Sequence, residues 1–196
     1  MEAIALLVGL GNPGPTYAKT RHNVGACFVE ELARRHNIQF ANETKFKGLV
    51  GRGRIGGEDV RLLLPTTYMN DSGQAVAALA KFYKFAPEQI LVAFDEMAFE
   101  PGQVRLKTGG GDNGHNGIRS MVSCLGNQKG FHRLRIGVGH PGHPSKVTAY
   151  LTSHSMPESE RRLVDDATHF SDALLTDLFS GEHQKAMNVM HAEGEQ

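Results

Sequence analysis

Apolar positions along this chain alternate between short unbroken runs and stripes at helical spacing, so strands and helices are expected to take turns. Residues 4–10 form an apolar run that leads into Gly-Leu-Gly-Asn-Pro-Gly at 9–14, which predicts a buried strand entering a turn. Val24, Cys27, Phe28 and Leu32 then recur at helical spacing up to His36. The stretches 49–55 and 60–64 flank Gly56-Gly57, a pair that tolerates positive φ, and predict a hairpin. A second stripe, Val76, Leu79, Ala80 and Tyr83, is closed off by Pro87. A buried strand at 90–94 follows, with Asp95 and Glu96 at its carboxyl end, where open α/β sheets keep their ligands.

The second half is less regular. A short strand at 104–107 feeds a glycine-dense stretch at 109–117, a helix runs on to Leu125, and 134–138 reads as a further strand. His140-Pro-Gly-His-Pro144 is expected to be an irregular loop. Ser155 and Glu158 have the spacing of a capping box before one long helix carrying Leu163, Ala167, Phe170, Leu174 and Leu178, with Gly181 as its breaker. The order of elements predicts an α/β class chain, and without repeats or long linkers its 196 residues read as one domain.

Composition narrows the class. Hydrophobic residues are 40% and charged residues 21% of the chain, so it has the means to fold. No early stretch combines a basic start with a long apolar run, which predicts a cytoplasmic protein with no membrane association. Cys27 and Cys124 lack paired spacing and read as small buried hydrophobes in a reducing compartment. The net charge of zero hides an asymmetry: residues 101–150 hold seven Lys or Arg against Asp112 alone, whereas residues 151–196 are correspondingly acidic. A basic segment inside a neutral chain is the footprint of a polyanion bound at one place, although a solvated basic face would look the same.

The candidate chemistry gathers in the loops. The 9–14 turn formally matches a dinucleotide fingerprint, but 15–21 intervene before the helical stripe and no acidic residue ends a second strand at the right distance. Asn12, Asn70 and Asn116 each sit after an apolar run or beside glycines, where a side chain can face a cleft; each alone also suits a turn or a cap. His22 stands at a helix start, whose positive dipole end favours a neutral imidazole able to act as a base. Asp95 is its natural orienting partner. The 109–117 loop can turn several N–H groups toward an anion, and Lys107 and Arg119 flank it. His140 and His143 lack an acidic neighbour, no H-E-x-x-H occurs, and Ser72 lies outside any G-x-S-x-G elbow, so neither a metal nor a serine nucleophile is expected.

Five blocks in order carry a resemblance: Gly-Leu-Gly-Asn-Pro-Gly at 9–14, Thr-Arg-His-Asn at 20–23, Pro-Thr-Thr-Tyr-Met-Asn at 65–70, Gly-His-Asn-Gly at 114–117 and Phe-His-Arg-Leu-Arg-Ile-Gly-Val-Gly-His-Pro-Gly at 131–142. Over nearly its whole length the chain resembles the bacterial peptidyl-tRNA hydrolases. The resemblance implies a single α/β domain over 1–196, a twisted mixed sheet surrounded by helices, that releases the peptide from the 3′ end of tRNA without cofactor or metal, as a monomer. It implies His22 as catalytic base and Asp95 as its orienting carboxylate. It implies a substrate cleft of Asn12, Tyr17, Tyr68, Met69, Asn70, His115 and Asn116, with Lys107 and Arg135 holding the tRNA 5′ phosphate.

The chain departs from the family pattern in three places. Phe94-Asp-Glu-Met-Ala98 stands for His-Asp-Glu-Leu-Asp, Asp112-Asn113 stands for His-Gly, and the carboxyl-terminal helix is acidic through Glu182, Glu193 and Glu195. These departures keep a tRNA-binding module with little catalysis as the alternative reading.

Overall fold

The computed structural model of the chain describes residues 2–193, so Glu195 lies outside the described residues. Its elements are β1 (Leu6–Gly9), α1 (Val24–Arg35), β2 (Ala41–Glu43), β3 (Gly48–Ile55), β4 (Glu58–Pro65), α2 (Ser72–Tyr83), β5 (Ile90–Glu96), β6 (Val104–Thr108), α3 (Asn116–Cys124), β7 (His132–Gly137), α4 (Val147–Thr152), α5 (Glu158–Thr168), α6 (Asp172–Ser180) and α7 (His183–Glu193). The strands form one mixed sheet in the order β2-β3-β4-β1-β5-β7-β6. Its centre is parallel, β4-β1-β5-β7, while β2, β3 and β6 run antiparallel to their neighbours.

The central strands are buried on both faces, which is why they read as unbroken apolar runs. On one face α1, α6 and α7 bury Phe28, Leu32, Leu174, Leu178 and Ala186 against the sheet. On the other, α2 and α3 bury Val76, Leu79, Ile118 and Met121. After β1 the chain departs to β4 on one side, then returns through α2 to β5 on the other. The carboxyl ends of β1 and β5 therefore flank the crevice where an open α/β sheet binds its ligand.

Gly25 sets how deeply α1 enters this crevice. A Cβ there would lie 2.1 Å from the Ala93 carbonyl oxygen, so only glycine allows the helix to press onto β5. That approach brings His22, in the turn leading into the helix, to the end of β5.

Several expectations are corrected. The long carboxyl-terminal helix is two, α5 and α6, broken at 169–171. Phe170 is buried there against Phe28, and Arg35 donates to its carbonyl, so an apolar residue that looks like part of a helical stripe anchors a turn. Ser155 caps nothing; it pairs with Thr20 in an isolated bridge, while Ser171 caps α6 by accepting from Leu174 N–H. Leu163 is 52% exposed and does not join the core. Strand β7 begins two residues before the expected 134, which brings Arg133 inside it. Cys124 is exposed and Cys27 only partly buried, against the expectation of two buried thiols. No helix among the described residues is long and apolar enough to cross a membrane.

Candidate active site

The crevice is a cleft of about 300 Å³ whose floor holds Asn12, His22, Met69 and Asp95, with Asn113 to Asn116 on one side and Val147 and Leu151 of α4 on another. Its centre is Asp95, fully enclosed at the last turn of β5. One carboxylate oxygen, Oδ2, lies 2.8 Å from His22 Nδ1, and the other, Oδ1, lies 2.8 Å from His115 Nε2. Burial alone would raise the Asp95 pKa, but the two imidazoles outweigh it and hold the group well below the usual carboxylate range. Asp95 is therefore ionised and can only accept, so His22 carries its hydrogen on Nδ1 and turns a bare Nε2 to the cleft.

For His115 the assignment comes from the other end of the ring. Its Nδ1 accepts from the backbone N–H groups of Gly117 and Ile118, capping α3, so Nε2 carries the hydrogen donated to Asp95. Phe94 packs edge-on against this ring at 5.0 Å. Both nitrogens of His115 are thus occupied by the protein. Its ring still lines the cleft.

His22 also differs from expectation. Its burial favours the neutral form, but the Asp95 charge and hydrogen bond override this and raise its pKa above the ordinary histidine value. The carboxylate, not the helix dipole, dominates. His22, Asp95 and His115 are also the one set among the described residues whose ligand-type atoms lie within 4.8 Å of one another. Their closeness is accounted for by hydrogen bonds, since each carboxylate oxygen already accepts from a ring N–H.

Asn12 is fixed on three sides. Asn23, the neighbour of His22, bonds both of its backbone polar groups at 2.9 Å, and the Asn12 Oδ1 accepts from Met69 N–H at 2.8 Å. With its oxygen taken by Met69 N–H, Asn12 lines the same cleft as His22. Asn70 and Asn116 line the same cleft but are exposed, and Asn116 is touched only by Arg119 at 3.5 Å. Tyr68 is 62% exposed at the rim, edge-on to Tyr17 with centroids 6.3 Å apart. Tyr17 stands outside the cleft lining itself.

The two expected phosphate ligands lie on the β6–β7 ribbon. Register places Lys107 across from Arg133 and Arg105 across from Arg135, so four cations share one face of the ribbon. Their states differ. The Arg135 Nε and Nη2 lie 3.0 and 2.7 Å from Glu96 Oε1, and its guanidinium stacks over Phe99. Arg133 is enclosed and spends its donors on loop carbonyls. Lys107 is exposed, and Arg105 packs on Phe99 at 5.7 Å; neither has a carboxylate partner among the described residues. Arg105, Arg133 and Asn23 were not singled out from the sequence as site residues. The signal for the two arginines was available, because alternate positions on paired strands share a face.

At 112–113, the anion introduced by Asp112 is neutralised locally: one oxygen accepts from Gly114 N–H at 2.8 Å and the other lies 3.3 Å from Arg119 Nε. Asn113 takes the left-handed conformation that glycine would adopt freely, and its amide reaches Glu96 Oε1 at 3.5 Å. The main-chain N–H of Ala98 donates to Glu96 Oε2 at 3.3 Å.

Comparison with known proteins gives the family. The Peptidyl-tRNA hydrolase family matches residues 6–196. The peptidyl-tRNA hydrolase of Pseudomonas aeruginosa (strain LESB58) is 51% identical over 193 residues, covering 98% of this chain and 99% of the relative. That of Vibrio campbellii is 54% identical over 190 residues, covering 97% and 96%. The crystal structure of peptidyl-tRNA hydrolase from Acinetobacter baumannii superposes with a TM-score of 0.93 at 50% identity, covering 98% of this chain and 96% of that one. A match of this extent, with the imidazole–carboxylate pair at the crevice of the sheet, means that the chain belongs to the peptidyl-tRNA hydrolase family.

Proposed function

We propose that the chain hydrolyses the ester between a peptide and the 3′ ribose of tRNA with His22 as general base, and that one observation carries this reading: an imidazole anchored through Nδ1 lines the same cleft as an asparagine whose oxygen is fixed. Water attacks the ester carbonyl carbon while His22 Nε2 takes its proton. The carbonyl oxygen becomes an oxyanion, and Asn12 Nδ2 donates to it. Collapse breaks the bond to the ribose oxygen, which recovers the proton from the imidazolium, leaving a free ribose hydroxyl and a peptide carboxylic acid that loses its proton to water. Asp95 stabilises the imidazolium throughout. Asn12 is favoured over Asn70 as oxyanion donor because its oxygen is already committed to Met69 N–H, so no reorganisation is needed.

Asn70 and Asn116, exposed on the cleft wall, serve the substrate peptide, whose amides reward a peptidyl chain over a single charged aminoacyl group. Tyr17, Tyr68 and Met69 border the same path. Lys107 and Arg135 take the 5′ phosphate of the acceptor end, with Arg105 beside them on the ribbon. The reaction needs no metal or cofactor, and the whole of 1–196 acts as one cytoplasmic, monomeric domain. The test is release of peptide from an N-blocked aminoacyl-tRNA by the purified chain treated with chelator. His22→Ala should remove that release, and a chain that binds tRNA without turnover would be the binding module instead.

A further inference from the structure

Arg133 is the least explained charge in the molecule. It is 2% exposed, and no carboxylate lies within ion-pair distance of it among the described residues. Its Nη1 donates to the Gly111 carbonyl, its Nη2 to Gly110 at 2.7 Å and toward Lys129 at 3.5 Å, while Nε is buried without a partner. A buried cation answered by carbonyls and, at 4.5 Å, by the face of the Phe131 ring is costly to keep without a counter-charge, so its hydrogen-bonding geometry is what the position exploits. A planar guanidinium can hold two successive carbonyls at once, which a lysine ammonium, a point charge, does not reproduce.

Those carbonyls begin a continuous path to the reacting groups. Gly110 has a φ of 102°, and the next turn is closed by the Asp112 carbonyl accepting from His115 N–H at 2.9 Å and the Asp112 side chain accepting from Gly114 N–H. The turn delivers His115, whose ring holds Asp95 at 2.8 Å. We propose that Arg133 is a positioning residue for hydrolysis: by clamping Gly110 and Gly111 it sets the loop that seats His115 on Asp95. Arg133 itself touches neither substrate nor phosphate. The proposal rests on the reading that Asp95 serves His22.

The experiment compares Arg133→Met and Arg133→Lys with the unmodified chain on an N-blocked aminoacyl-tRNA bearing either a 5′ phosphate or a 5′ hydroxyl, with His22→Ala in parallel. Both Arg133 variants should lower kcat about tenfold, with KM within about twofold, because the dyad is misplaced while binding is not. The loss should be equal for the two 5′ ends. The acid limb of the pH profile should also move to higher pH, since a carboxylate relieved of the His115 donor holds the His22 proton more tightly. Should Arg133→Met not fold, the lysine variant carries the same readouts. Unchanged kcat and acid limb overturn the proposal, as does a loss seen only with the 5′ phosphate, which would make Arg133 an anion contact. An inactive His22→Ala beside normal Arg133 variants sinks this proposal alone; turnover by His22→Ala sinks it together with the dyad reading.

Discussion

Asp95 is shared by two imidazoles, His22 through Oδ2 and His115 through Oδ1, each at 2.8 Å. Only the first ring keeps a nitrogen free for chemistry, because the second caps a helix. The two contacts divide the labour of one carboxylate between polarising a base and being held still.

The pH profile should report this arrangement. A general base works unprotonated, and the His22 pKa is raised, so kcat/KM should climb with pH through a midpoint above the ordinary histidine value of 6.5. In Asp95→Asn the raising influence is removed while burial stays, so the midpoint should move to lower pH as the plateau falls by about a hundredfold or more. A midpoint that does not move would separate Asp95 from the titrating group.

Asn12 and Asn70 should separate kinetically. Removing a fixed oxyanion donor costs about 3 kcal/mol, so Asn12→Ala should lower kcat by roughly two orders of magnitude with little change in KM. Asn70→Ala, at an exposed amide without fixed partners, should act mainly on KM. Equal kcat losses in the two variants would reopen the choice of donor.

Lys107→Ala should weaken tRNA binding and flatten its salt dependence, since one fewer phosphate is neutralised. Arg135→Ala should do the same less steeply, because Glu96 already compensates that charge in the free protein. Binding isotherms at several salt concentrations check both, and parallel slopes for variant and unmodified chain would place the phosphate elsewhere.

Stability should fall in mild acid for a reason remote from the cleft. His183, at the start of α7, is buried with its ring 3.8 Å from that of His132. Burial and the neighbouring His132 imidazole push its pKa down to about 4. The unfolded chain binds this proton near pH 6.5, so the contribution is complete above that value and is lost as pH falls toward about 4. Thermal melts between those limits should show Tm dropping in the native chain and dropping less in His183→Gln.

Much of this was readable from residue order. The apolar runs became central strands, and Asp95 at a strand end met His22 at a helix start, as the crevice rule requires. The second imidazole was not readable as a partner of Asp95, because the contact depends on the loop turning at Asp112 and on α3 accepting a histidine cap. The broken carboxyl-terminal helix was half readable: Phe170 mimics a stripe position, yet Ser171 before Asp172 is a cap signal that the stripe conceals. The raised pKa of His22 could not be read at all, since it depends on a distance across 73 residues of chain.

The pairing of Arg135 with Glu96 bears on traffic as well as recognition. A ribbon whose cations all stood bare would cling to any RNA and release spent tRNA slowly, whereas one that keeps an internal counter-charge has little hold on passing polymer. On the proposed tRNA site, that counter-charge loosens the grip of the ribbon on spent tRNA and favours its release.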